Sequence, residues 1–107
     1  MRPIRLLIAL TAIGLSGSSL AMDEAAAESL ARKSGCFKCH AIDKKKDGPP
    51  YKEVASKYKG KPDSEAKLYK HVTSKPMVKI DGKEEEHKAI KGEEGEIRNL
   101  IRFILSV

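Results

Sequence analysis

The chain has 107 residues, enough for one domain and too few for a second beside it. Charged residues make up 34%, only 5% are aromatic and none is Trp, which argues against a membrane-buried body and leaves little material for a large core. A formal net charge of +6 permits docking to an acidic protein without calling for nucleic acid.

At the start, Arg2 and Arg5 precede the apolar run Leu6–Leu15, and Ser19-Leu20-Ala21 follows the small-x-small rule of a signal peptidase site. Residues 1–21 are expected to be a secretory signal, leaving 22–107 as a single exported, periplasmic domain. The run is too short to span a bilayer comfortably, and no Cys follows it to carry lipid, so no stable membrane insertion is expected after cleavage. Loss of Arg2 and Arg5 leaves 19 basic residues against 15 acidic, about +4.

Asp23 can cap a helix from Glu24 to Lys33, ended by Gly35, with Ala27 and Leu30 facing inward. Cys36-Phe37-Lys38-Cys39-His40 follows directly. A polar loop from Asp43 to Pro50 closes on Gly48-Pro49-Pro50. Tyr51, Val54, Ala55 and Tyr58 recur at helical spacing and predict a second helix, Tyr51 to Lys59, stopped by Gly60. Asp63 or Ser64 can cap a third, Glu65 to Thr73, with Leu68 and Val72 on one stripe. Ser74 to Gly92 has no sustained period and contains Pro76 and Asp81-Gly82, so an irregular loop with a turn is expected. The last helix begins among Glu93, Glu94 and Glu96, where the macrodipole favours negative charge. It buries Ile97, Leu100, Ile101, Phe103 and Ile104, while Arg98 and Arg102 fall on another face.

Cys-x-x-Cys-His is the attachment signature of haem c. Two thiols on one turn can reach the vinyl groups of neighbouring pyrrole rings, and the adjacent imidazole then projects beneath the ring toward iron. The competing readings fit less well. A thioredoxin-like pair should follow a strand, and no strand pattern precedes Cys36. A zinc site needs four ligands, and Cys36, Cys39 and one of His71 or His87 make only a partial set. One haem c per chain is therefore expected, bonded through Cys36 and Cys39, with His40 as proximal iron ligand. Its apolar mass would supplement the thin core, and wrapping it would account for the long loops.

The chain resembles the small bacterial class I monohaem c-type cytochromes over nearly its whole length after the signal. The match is carried by Ser34-Gly35-Cys36-Phe37-Lys38-Cys39-His40-Ala41, by Asp47-Gly48-Pro49-Pro50-Tyr51, by Val54–Tyr58 and by the helix Ile97–Leu105. The resemblance implies an all-α, cytochrome c-like fold, about four short helices around one covalently bound haem. It implies that the Pro49 carbonyl accepts from the His40 N–H, and that first and last helices cross beside the haem through Leu30, Ala31, Leu100 and Phe103.

The distal ligand is open between two residues. Most of the family uses a Met that follows a Pro, and Pro76-Met77 offers one. Spacing departs from the family, because Met77 stands just past the third helix with a long stretch after it. Matching backward from the last helix puts His87 at the ligand position, 47 residues after His40 where Met77 is 37 after it. His87 is the preferred reading and Met77 the alternative; His71, on the third helix, is the weakest.

A six-coordinate iron closed on both faces does no bond chemistry. The expected function is a periplasmic one-electron carrier rather than an enzyme, monomeric, exchanging electrons with redox partner proteins. Lys44–Lys46, Lys52, Lys57, Lys59 and Lys61 could steer an acidic one. The alternatives are a haem-based sensor or gas-binding protein, and an electron-transfer subunit of a periplasmic oxidoreductase.

Overall fold

The computed structural model describes residues 21–107, and the expected signal, apart from Ala21, lies outside the described residues. Helix α1 spans Glu24–Lys33, and the Asp23 carboxylate accepts from the Ala26 N–H at 3.0 Å, as the cap expected there should. Asp23 is also held from across the molecule. Its N–H donates to Asn99 Oδ1 at 2.9 Å and its carbonyl accepts from Asn99 Nδ2 at 2.8 Å, so one amide clamps the start of α1. A single 3-10 turn, Cys36–Lys38, carries the cysteine motif. Helix α2 covers Tyr51–Tyr58, α3 covers Ser64–Thr73 and α4 covers Glu94–Ser106.

Helix α4 is the spine, packed against α1, α2 and α3. Its Leu100 and Ile101 are the largest side chains buried completely, and Ile97, Phe103 and Ile104 extend the same stripe. Ala27, Leu30 and Ala31 meet it from α1, Tyr51 from α2, and Leu68 and Val72 from α3. Val54 and Tyr58, expected on the inner face of α2, are only half-buried and flank this cluster. Between α3 and α4, Arg98 and Arg102 both reach Glu65, at 3.5 and 3.4 Å. At that exposure such pairs set register more than stability.

The stretch expected as an irregular loop is built differently. It holds an antiparallel hairpin, β1 (Met77–Ile80) and β2 (Lys83–Glu86), pairing Met77 with Glu86 and Ile80 with Lys83. Asp81 and Gly82 form its two-residue turn, both with positive φ (50° and 77°), the handedness that suits the twist of paired strands. The hairpin is a closed excursion: the His87 N–H donates to the Pro76 carbonyl at 2.8 Å, so the chain leaves at Pro76 and returns beside it. Further along, the Ile90 N–H donates to the Val72 carbonyl of α3 at 2.8 Å and Ile90 is buried, which ties the returning chain to the core. The architecture is four helices with one hairpin added. Among the described residues no helix is long and apolar enough to cross a membrane.

Candidate functional site

Gly35, at φ 74°, ends α1 and turns the chain into the 3-10 turn, a conformation other residues resist. The N–H groups of Cys39 and His40 both donate to the Cys36 carbonyl, at 3.2 and 2.9 Å. Both thiols and the imidazole are thereby fixed on one short piece of backbone. Cys36 and Cys39 are unpaired and partly exposed. Burial pushes the Cys36 thiol above its ordinary pKa, partly offset by a hydrogen bond from Tyr51.

The polar loop folds back onto His40. Lys46 Nζ donates to the Phe37 carbonyl at 2.7 Å, so this lysine holds the loop to the turn. The Gly48 N–H donates to the Cys39 carbonyl at 2.7 Å. A methyl group on Gly48 would meet the His40 ring at 2.5 Å, which is why glycine stands there. The N–H groups of Tyr51 and Lys52 then donate to the carbonyls of Ala41 and Ile42, at 2.8 and 2.9 Å. That closure brings the Pro49 carbonyl 2.8 Å from His40 Nδ1. A carbonyl only accepts, so Nδ1 carries the proton and Nε2 keeps its lone pair for a metal. Behind the imidazole, the buried Tyr51 ring stacks at 5.1 Å and 19°. Burial lowers the pKa of His40, against the Pro49 bond and with the nearby His87, which favours the neutral, ligating form.

His87 faces this arrangement. Its ring centroid lies 6.3 Å from that of His40. Its Nδ1 lies 2.8 Å from the Lys88 carbonyl, so it too presents a free Nε2. Metal–imidazole bonds are about 2 Å long, and two of them with two half-rings span roughly 6 Å. The observed separation matches the one that two imidazoles on opposite sides of a single metal ion would have. Two imidazoles are two ligands, and the four nitrogens of a porphyrin would complete six. Met77 is elsewhere: it starts β1 with 59% of its surface exposed. His71, the weakest candidate by sequence, sits against His87 with ring centroids 4.7 Å apart. Burial, and the charges of His87, His40 and Lys57, lower its pKa. The tertiary contacts of Tyr51 and His71 are the site features that sequence reasoning missed.

The family model for cytochrome c matches residues 24–107. Cytochrome c-551 of Pseudomonas aeruginosa is 47% identical over 45 residues, 42% of this chain and 43% of that protein. Cytochrome c-552 of Hydrogenobacter thermophilus is 42% identical over 52 residues, 49% of this chain and 48% of that protein. The chain thus spans less than half the length of either curated relative. The crystal structure of the class 1 cytochrome MtoD from Sideroxydans lithotrophicus matches with a TM-score of 0.79 at 58% identity, covering 80% of this chain and 97% of that one.

Proposed function

Because the chain belongs to the cytochrome c family, we propose that it is a one-electron carrier of the periplasm, holding one haem c through Cys36 and Cys39 with His40 and His87 as axial iron ligands. The observation that carries this reading is the facing pair of imidazoles, 6.3 Å apart, each with Nδ1 committed to a backbone carbonyl. The haem supplies a one-electron couple at its iron, whose potential two nitrogen ligands hold lower than a thioether would. What the chain adds is positioning: Pro49, Gly48 and Tyr51 fix the proximal ring, and the hairpin closure returns the distal one to the place beside Pro76. His87 stands where a gas molecule would have to bind, which favours a carrier over a sensor. Exposed lysines in the Asp43–Lys61 segment give a redox partner a basic surface to meet.

The hairpin accounts for the unusual spacing. Removing residues 77–86 would join Pro76 directly to His87, so His87 follows Pro76 in space as a distal ligand follows a Pro in sequence elsewhere in the family. A chain with this deletion is expected to keep the low-spin ferric spectrum of the wild type, with no far-red charge-transfer band in either. A wild-type far-red band that the deletion abolishes would assign the site to Met77. Export is checked by the intact mass of the purified protein, expected to begin at Met22; a chain beginning at Met1 and recovered with membranes would contradict it.

A further inference from the structure

We propose that His71 is a second distal imidazole, positioned to take the sixth coordination site whenever His87 is displaced; the proposal rests on the reading of His87 as the resident ligand. His71 is not the resident ligand itself, because it is the His87 ring whose centroid lies 6.3 Å from that of His40. It is nevertheless one ring-width from the site, its centroid 4.7 Å from that of His87. The residue is exposed overall, and a rotation of its side chain would carry the ring toward the space His87 would vacate.

The two imidazoles are mounted very differently. His87 stands at the base of the hairpin, whose second strand is exposed at every residue and whose first is at best half-buried. One hydrogen bond, from His87 to Pro76, closes that base. Few buried contacts and solvent-facing ladder bonds are the marks of a segment that opens locally at low cost. His71 rides on α3, which is fastened to the core by Leu68 and Val72, so opening the hairpin leaves it in place. Ile90 donates to Val72 and marks where the movable segment ends and the fixed one begins.

Tethering decides the competition that follows. An imidazole fixed a few ångströms from a vacated metal site acts at a very high effective concentration, far above that of any dissolved ligand. The iron would therefore pass from one bis-imidazole state to another without exposing an open site. The carrier would stay closed to dissolved ligands while the hairpin moves, for instance on docking.

The test compares haem-loaded wild type, His87→Ala and the double variant His71→Ala/His87→Ala. His87→Ala is expected to remain low-spin in the ferric state with altered g-values in electron paramagnetic resonance. The double variant is expected to turn high-spin, and its ferrous form to bind carbon monoxide at least tenfold more tightly than His87→Ala does. Should His87→Ala not accumulate, His87→Gln carries the same comparison at nearly conserved volume. A single variant already as high-spin and as open to carbon monoxide as the double overturns the proposal. So does a double variant that stays low-spin, since another group would then be the substitute. Failure of the underlying reading looks different, because the wild type would show a Met–iron band that Met77→Ala removes.

Discussion

A chain carrying both Cys36→Ala and Cys39→Ala is expected to lose all haem on denaturation. In the wild type, a denaturing gel stained for haem should keep the colour on the polypeptide, and acidified butanone should leave it in the aqueous phase. In the double variant the stain should vanish and the colour should extract. Each single variant should keep its haem through one remaining bond. The physical basis is the 3-10 turn, which holds both sulfurs on one short stretch with the His40 N–H and Cys39 N–H bonded to the same carbonyl. Axial coordination alone survives neither acid nor unfolding, because protonated imidazole is no ligand and the two histidines separate with the chain. Haem that stays on the doubly substituted polypeptide would show that the cysteines are not its attachment points.

Local chemistry makes the proximal half of the site legible in the sequence. The Cys-x-x-Cys-His spacing, Gly35 as helix terminator and Gly48-Pro49 as the returning loop all lie within one short segment. The apolar stripe Ile97, Leu100, Ile101, Ile104 needs nothing but helical period, and it lies at the centre of the core. The hairpin is harder to see. Asp81-Gly82 is a strong turn signal, but the strand after it reads Lys-Glu-Glu-Glu, with no alternation to suggest a buried face. It pairs because the turn geometry favours pairing and Pro76 and His87 close its base. Ile90 is a lone apolar residue between Ala89 and Lys91, too short a signal for any period, yet its burial anchors the distal segment.

The roles of Tyr51 and His71 depend on tertiary placement. Tyr51 opens α2 on its buried face, which sequence shows; that its ring stacks on His40 follows only from the loop closing through Ala41 and Ile42. His71 lies on the same helix as Leu68 and Val72 and is the weakest ligand candidate by sequence. Its neighbour His87 reaches it by way of the hairpin, across a segment whose structure the sequence does not announce. The preference for His87 over Met77 rests on counting back from α4. The hairpin gives that count a physical basis that the proposed ligation would need, since it inserts residues 77–86 between Pro76 and His87 without separating them in space.

The second large effect is expected at His40. His40→Gly should keep its haem through the two thioethers but lose the low-spin ferric spectrum. The void left behind has the shape of an imidazole with its contacts already in place. One partner is the Pro49 carbonyl, formerly 2.8 Å from Nδ1; the other is the face of the buried Tyr51 ring, formerly 5.1 Å from the imidazole centroid. Added imidazole should therefore restore the low-spin spectrum, donating its N–H to Pro49 while its other nitrogen meets the metal. N-methylimidazole offers the same ligating nitrogen but no N–H for the carbonyl. Loss of one such bond, about 1 kcal/mol, should weaken its binding roughly fivefold relative to imidazole. The methyl group would also press toward Gly48, where even a Cβ has no room, so the observed ratio should exceed that figure rather than fall below it. Equal rescue by the two compounds would remove the Pro49 carbonyl from the ligand's support. A His40→Gly chain that keeps the wild-type spectrum unaided would remove His40 from the iron.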